Sequence, residues 1–270
     1  MAKQDKSLDV VIIGAGLAGL LAARVLREKH NVKVYERSTT PIEVGAAINV
    51  GPNGVRILET LGFDRSRAGS LPVGATKVFT KEGHLQLDEE NSYVEKYAAD
   101  GIKSIVRPHV VGDAALQTAR PSALPAFLFT LALDDIKAAL EIAKNIKLWQ
   151  LRDQEPLPTY VRGRAVSIGD AAHVMTPHQG QGGTQAVEDA EGFRLFLQKG
   201  VTSEHVPELL KGFETVCRPR ASQIQNNTRK AKNKRTAEEV YRFEKINWTY
   251  GGIMEELKAV KETSGMRRCK

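Results

Sequence analysis

Two different spacings of apolar residues follow one another at the start of the chain. Asp9 to Ile13 ends in an unbroken apolar run, the pattern of a strand buried in a parallel sheet. It runs straight into Gly14-Ala15-Gly16-Leu17-Ala18-Gly19, and from Leu17 to Lys29 the period becomes helical, with Leu17, Leu20 and Leu21 set against Arg24 and Glu28. Asn31 ends that helix. Val32-Lys33-Val34-Tyr35 is a second short strand, closing with Glu36. The predicted unit is strand, glycine turn, helix, strand.

The pattern continues less evenly. Residues 51 to 62 read as a turn leading into a short helix that stops at Gly62, and residues 73 to 87 alternate weakly around a hairpin turn at Gly83. Asp134 or Asp135 caps a helix through Ile146, with Ile136, Ala139, Leu140 and Ala143 on one side. Arg162-Gly163 is a turn, and Ala165-Val166-Ser167-Ile168 a buried strand ending at Gly169-Asp170. A loop rich in Pro, His, Gln and Gly leads into a helix over 184–198, whose apolar side carries Ala186, Val187, Ala190, Phe193, Leu195 and Phe196. From Pro207 onward the chain reads as helical and polar. Strands alternating with helices predict an α/β, Rossmann-like fold.

The three glycines of the first turn have separate tasks. Gly14 turns the chain sharply out of the strand, Gly16 lets backbone approach a pyrophosphate, and Gly19 lets helix and strand pack closely. The helix N-terminus then faces the phosphate charge. Glu36 stands 22 residues beyond Gly14, where its carboxylate can accept both hydroxyls of a ribose; Arg37 follows it. Together these features predict a site for the ADP half of a dinucleotide, with either FAD or NAD as the molecule held.

Composition narrows the class. With 270 residues, 41% hydrophobic and 26% charged, the chain has the make-up of an ordinary globular protein. The net charge of +7 is confined to the tail: residues 218 to 270 hold 14 Lys and Arg against 6 Asp and Glu, and the preceding residues are nearly balanced. The basic run Arg229 to Arg235 has no interleaved aromatics, so a solvated helix face is expected there and no nucleic-acid partner. Cys217 and Cys269 have neither disulfide-framework nor metal-ligand spacing, which fits a reducing, cytoplasmic setting. The apolar run Val10 to Ala23 is interrupted by glycines and too short to span a bilayer, and Asp5 and Asp9 disqualify it as a signal peptide. No transmembrane segment is expected.

The second half decides between the two dinucleotides. Gly169-Asp170-Ala171-Ala172-His173 follows a strand, and Thr176-Pro177-His178-Gln179-Gly180-Gln181-Gly182-Gly183-Thr184 enters a helix. Such a loop offers successive backbone N–H groups to an anionic acceptor, and Asp170 can bind a ribityl or ribose hydroxyl. With Gly14 to Gly19, Glu36 and Asp100-Gly101, these residues resemble the FAD-dependent aromatic hydroxylases, flavoprotein monooxygenases related to salicylate hydroxylase and p-hydroxybenzoate hydroxylase. Ala99 to Arg107 matches that family's DG motif, and Val44 to Val50, which includes Ala47, with Pro52-Asn53-Gly54 matches the stretch after its second strand. The resemblance covers most of residues 8 to 71, 99 to 130 and 146 to 200. It implies FAD held by Asp170 at the ribityl and pyrophosphate region, with Pro177, Gly180, Gln181, Gly182 and Gly183 against the isoalloxazine. It further implies NADH or NADPH as co-substrate and O2-dependent hydroxylation of a small aromatic molecule. The flavin supplies that chemistry, so no catalytic side chain is assigned.

Two interior blocks of the family have no counterpart here. Asn91 to Ala99 stands where the family has an arginine-bearing helix and further strands, and only Phe129 to Lys144 stands where it has most of its substrate-binding sheet. The expected layout is a FAD-binding domain over residues 1–200, built from segments 1–71, 99–107 and 150–200 with shortened substrate-domain remnants at 72–98 and 108–149. A helical, basic segment follows over 201–270. Because the sheet that roofs the pocket is the part that is missing, a non-catalytic or repurposed flavoprotein stays open beside the monooxygenase, as does an NAD-dependent dehydrogenase read from the N-terminal unit alone. His173 and His178, five apart, suit neither a helical nor a loop metal chelate, so structural or flavin-edge roles are expected and no metal. His84 and His109 read as surface residues. Tyr241, Phe243, Trp248 and Tyr250 read as the face by which the tail docks on the core. The oligomeric state is left open.

Overall fold

Residues 7–39, 49–64, 67, 72–79, 84–96, 120–121, 151–231 and 236–268 are described by the computed structural model, and its first unit follows the apolar pattern. Strand β1 (Asp9–Ile13) leads through the glycine turn to α1 (Leu17–Leu26) and back to β2 (Asn31–Tyr35). The two strands pair in parallel from Asp9 opposite Asn31 to Ile13 opposite Tyr35. Residues Arg27 to Lys29, predicted as helix, form a tighter turn in which Glu28 and Lys29 N–H groups reach back to the Val25 and Leu26 carbonyls. His30 then pins the unit down: its Nδ1 accepts the Leu8 N–H at 3.2 Å and its Nε2 bonds the Phe196 carbonyl at 3.0 Å.

One expectation for β1 fails. Val10, Ile12 and Val32 pack into the core, but Val11 and Ile13 are 61% and 59% exposed, and Tyr35 on the neighbouring strand is 57% exposed. A parallel strand is buried on both faces only where a layer covers each. Among the described residues, α1 and the elements behind it cover one.

A short β3 (Asn49–Val50) precedes α2 (Pro52–Thr60), which starts with proline at its first position and ends through Leu61 at Gly62. Strands β4 (Pro72–Phe79) and β5 (Leu85–Lys96) form an antiparallel hairpin bracketing the predicted turn; Gly83 itself is outside the described residues. With β3 they make a sheet of order β3, β5, β4. Strand β6 (Arg120–Pro121) pairs with β7 (Arg152–Asp153). The helix predicted from Asp134 or Asp135 to Ile146 lies outside the described residues.

The second glycine-rich half begins with a hairpin of β8 (Val161–Arg162) and β9 (Ala165–Val166), turning at Arg162-Gly163. The predicted four-residue buried strand is thus only two residues long. Ala165 is exposed and Val166 half-buried, because the hairpin partner lies beside β9 and leaves its outer face open. One helical turn, α3 (Asp170–His173), leads to α4 (Gly182–Gly192), which tightens into a 3-10 helix over Phe193–Leu197. The tail folds into α5 (Val206–Ala231), α6 (Ala237–Trp248) and α7 (Ile253–Arg268). Thr236 and Glu239 cap α6 reciprocally, the side chain of each bonding the other's N–H.

The main core lies where α1, α4, α5 and α7 meet, built from Val25, Leu26, Val187, Phe193, Leu195, Phe213 and Ile253. Phe193 and Phe213 stack at 5.2 Å between centroids. Phe243 and Tyr250 of the tail are buried and the Trp248 ring lies beside Gly51, while Tyr241 is 68% exposed, so tail docking rests on three of the four aromatics named.

Candidate functional site

The glycine turn is built by a close approach. A Cβ on Gly19 would stand 2.2 Å from the Gly14 carbonyl oxygen and 3.3 Å from Ile12 Cγ2, so no other residue fits between helix and strand. Gly14 has φ +103 and donates its N–H to the Tyr35 carbonyl at 2.7 Å, fixing the turn against β2. Gly16 is the N-cap of α1 in extended backbone; no side chain caps the helix and its first turn holds no acid. The first N–H groups of α1, from Leu17 and Ala18 onward, have no acceptor within their own helix, and the helix dipole adds positive potential there. A helix start of this kind is able to accept an anion.

Glu36 does more than the sequence predicted. Its Oε2 accepts the Ala15 N–H at 2.8 Å and its Oε1 the Ser38 N–H at 2.9 Å. Those bonds, Ala15's first, hold the carboxyl below its usual range. Glu36 therefore stays ionised and ties the end of β2 to the glycine turn, with lone pairs on each oxygen left for a ribose. Arg37 is exposed beside it.

The second segment meets the first at one point. Gly169 adopts φ +58 and ψ −144, and a Cβ on it would lie 2.8 Å from the Ala18 Cβ. The elbow before Asp170 thus packs on the first turn of α1. Gly169's carbonyl accepts the N–H groups of Ala172 and His173 at 2.8 and 2.9 Å, and its own N–H goes to Asp189 Oδ2 at 2.7 Å. Asp170, half-buried, is the first residue of α3.

The third segment supplies a second helix start. Pro177 to Gln179 form a 3-10 turn, Gly180 is left-handed at φ +62, and Gln181 is the N-cap of α4, which has no side-chain cap and no acid in its first turn. The first N–H groups of α4 repeat the situation at α1. Gln181 is buried, its Nε2 bonded to the Gln179 carbonyl at 3.3 Å, while its Oε1 and Thr176 Oγ1 have no partner among the described residues. Thr184 Oγ1 accepts the Gly51 N–H at 3.1 Å, and α4 packs against α1 and α2. The segments around Gly14–Gly19, Gly51–Gly54, Gly169–Asp170 and Gln181–Thr184 therefore converge. Pro177 is exposed, and Gly182 and Gly183 are half-buried at the start of α4. Ala47, Asp100 and Gly101 lie outside the described residues, as does Arg107.

The sequence reading missed the acidic residues behind this site. Glu188, Asp189 and Glu191 are all buried on α4. Arg220 meets Glu188 with two bonds, Nε to Oε2 at 2.5 Å and Nη2 to Oε1 at 2.8 Å, and Asn53 donates to the same carboxylate. Burial still pushes the Glu188 carboxyl up despite the pull of Arg220. Glu191 accepts the Tyr250 hydroxyl at 2.9 Å and the Ile253 N–H at 2.8 Å, fastening the tail. Asp189 Oδ2 meets His173 Nε2 at 2.7 Å, and both side chains are buried. Burial alone would push the His173 imidazole down, but the charge and hydrogen bond of Asp189 and the charge of Asp170 carry it above its ordinary value. The available signal was three acids within one turn of a helix, set among Ala186, Val187, Ala190 and Gly192. His178 is half-buried, and among the described residues no group of three His, Cys, Asp or Glu is arranged to hold a metal. Among the same residues no helix is long and apolar enough to cross a membrane.

Known proteins resemble this chain in sequence and in fold. A family model described as "FAD binding domain" matches residues 7–119 and 130–228, well over half of the chain. Salicylate hydroxylase of Pseudomonas putida is 43% identical over 95 residues, which are 35% of this chain and 22% of that protein. The match thus spans about a fifth of that relative's length. A 6-hydroxynicotinate 3-monooxygenase of Pseudomonas fluorescens is 31% identical over 312 aligned positions, covering 68% of this chain and 81% of that protein. Those positions outnumber the 270 residues of the whole chain, so the relative has interior residues without counterparts here. A solved salicylate hydroxylase in a substrate complex shares the fold, with a TM-score of 0.65 at 20% identity over 93% of this chain and 97% of that one.

Proposed function

The chain belongs to the FAD-binding-domain family of flavoprotein monooxygenases, and we propose that it is an FAD-dependent monooxygenase hydroxylating a small aromatic substrate with NADH or NADPH and O2. The observation that carries the reading is the packing of the Gly169 elbow on Ala18, which joins the anion site of α1 to the Asp170 segment in one place. The residues fit the group. Gly19 lets α1 start close against the Gly14 carbonyl, two helix starts without side-chain caps supply N–H donors for phosphate, and Glu36 keeps an ionised carboxylate for a ribose.

In this reading Gly14, Ala15, Gly16, Leu17, Ala18 and Gly19 form the pyrophosphate turn, and Glu36, with Arg37 beside it, holds the adenosine end. Ala47 and the Asp100-Gly101 pair complete the cofactor residues. Gly169 and Asp170 take the ribityl chain, and Pro177, Gly180, Gln181, Gly182 and Gly183 line the ring side. When bound, FAD supplies the two-electron and oxygen chemistry that no side chain here provides. The protein's part is to bind, orient and keep water away. The unpaired Gln181 Oε1 and Thr176 Oγ1, buried beside the α4 start, are the polar atoms that the cofactor's edge or its water would satisfy. The FAD-binding unit is assigned to residues 1–200 and the helical segment to 201–270, in a soluble intracellular protein.

The interior residues of the relative without counterparts favour a second reading, a flavoprotein that holds FAD without hydroxylating. Purified protein incubated with FAD, NADH or NADPH and a panel of hydroxylated or carboxylated aromatics separates the two. Substrate-stimulated oxidation of the nicotinamide with stoichiometric hydroxylated product supports the monooxygenase. Bound FAD with no product on any substrate supports the second reading.

A further inference from the structure

Resting on the FAD reading above, we propose that Asp189, together with His173, is a positioning pair that sets FAD affinity by holding the elbow from which Asp170 meets the cofactor. One carboxylate oxygen, Asp189 Oδ2, takes both the Gly169 N–H and His173 Nε2, each at 2.7 Å. The other side of the elbow is closed by its own turn, since the Gly169 carbonyl accepts from Ala172 and His173. Every polar group of the Gly169 backbone is therefore fixed by α3 or α4.

The elbow needs this. Gly169 holds φ +58 with ψ −144, a region that glycine visits but that nothing local enforces. On its far side is Ala18, at the first turn of the ADP-binding helix, close enough that a methyl group on Gly169 would collide with it. Gly169 is thus clamped between Ala18 on α1 and Asp189 on α4. Asp189 sets the distance between the Asp170 segment and the glycine turn, 150 residues apart in sequence. An apolar residue at 189 would leave the Gly169 N–H and His173 Nε2 unpaired in a site from which water is excluded. His173, wholly buried, completes the clamp: its backbone N–H holds the Gly169 carbonyl and its ring holds Asp189, so one residue fixes the carboxylate and the elbow together.

A merely structural pair would lower stability and affect FAD only in proportion. A positioning pair acts through Asp170, and a double-mutant cycle separates the two. FAD affinity is measured by quenching of flavin fluorescence for wild type, Asp189→Asn, His173→Gln, Asp170→Ala and the Asp170→Ala/Asp189→Asn double variant, with thermal melting of each FAD-free protein alongside. We expect Asp189→Asn and His173→Gln each to weaken FAD by about tenfold or more, a loss of ~1.4 kcal/mol in binding free energy. In the Asp170→Ala background, Asp189→Asn should change FAD affinity by less than about twofold while lowering the melting temperature as much as it does alone. If Asp189→Asn does not fold, His173→Gln carries the same cycle. An equal loss of affinity in both backgrounds, or no loss in either, overturns the inference while leaving FAD binding intact. Wild type that takes up no FAD overturns the FAD reading and this inference with it.

Discussion

Replacing Arg220 with methionine tests how the tail is held to the site. Arg220 gives Glu188 two hydrogen bonds at 2.5 and 2.8 Å, donates to the Ile246 and Asn247 carbonyls at 2.9 and 3.0 Å, and lies over the Tyr250 ring at 5.1 Å. Arg220→Met leaves Glu188 buried with only the neutral amides of Asn53 and Gln185 bonded to it, and opens the end of α6. Removing one partner of a buried ion pair costs about 3–5 kcal/mol, because the other charge is left without compensation. Set against a total stability of about 5–15 kcal/mol, such a loss is a large share. At about 2–4 °C per kcal/mol, a loss near 4 kcal/mol lowers the melting temperature by about 8–16 °C. The double variant Arg220→Met/Glu188→Leu removes both charges and should recover more than half of that, since an apolar pair does not carry the desolvation cost. Urea unfolding of the FAD-free protein, followed through tryptophan fluorescence, measures both; Trp248 reports on tail docking because its ring lies beside Gly51 and its carbonyl accepts from Arg56. A loss below about 1 kcal/mol for the single variant, or a double variant no more stable than the single, would refute the assignment of the pair as the tail's anchor.

Gly169→Ala forces a side chain into a glycine-only conformation with its Cβ 2.8 Å from that of Ala18; it should cost about 1–3 kcal/mol in thermal unfolding and weaken FAD as well. Unchanged FAD affinity would mean that the elbow does not set the site. The two buried histidines predict opposite pH dependences. His173 is raised when folded, so its stabilisation is complete below about pH 6.5 and is lost as pH rises through its folded value. His30 is lowered, chiefly by burial, so its contribution is present above about pH 6.5 and is lost as pH falls toward its folded value. His173→Gln removes the first and keeps the second. Its melting temperature should therefore fall more steeply than that of wild type between about pH 7.5 and 5.5, and parallel profiles would contradict the assignment.

Much of the fold could be read from periodicity because local rules and packing agree in the first unit. The strand, Gly14 to Gly19 and the helix from Leu17 each answer to a constraint within a few residues, and Glu36 sits where β2 ends. The exposure of Val11 and Ile13 was not legible, since an apolar run states what a strand can bury and not whether a second layer is present to bury it. The strand at Ala165 to Ile168 was overestimated for a similar reason: Val161 and Arg162 fold back on it as a hairpin, and pairing partners are not visible in the run itself. Asp170 and the Gly180 to Gly183 loop were singled out by motif alone, with no contribution from periodicity. Asp189, Glu188 and Arg220 were missed because their partners lie on other elements, and a charged residue in a helical stretch reads as a solvated face until its neighbours are known.

The central claim is that the glycine turn and the Asp170 segment together form one FAD site. Titration of the purified, FAD-free chain with FAD, followed by flavin fluorescence quenching and by absorbance after gel filtration, tests it most directly, with Gly19→Ala and Asp170→Ala as partners from the two halves. One FAD retained per chain, with affinity weakened in either variant, is the predicted result. A wild-type protein that emerges colourless, or one that keeps FAD undiminished in both variants, would contradict the account.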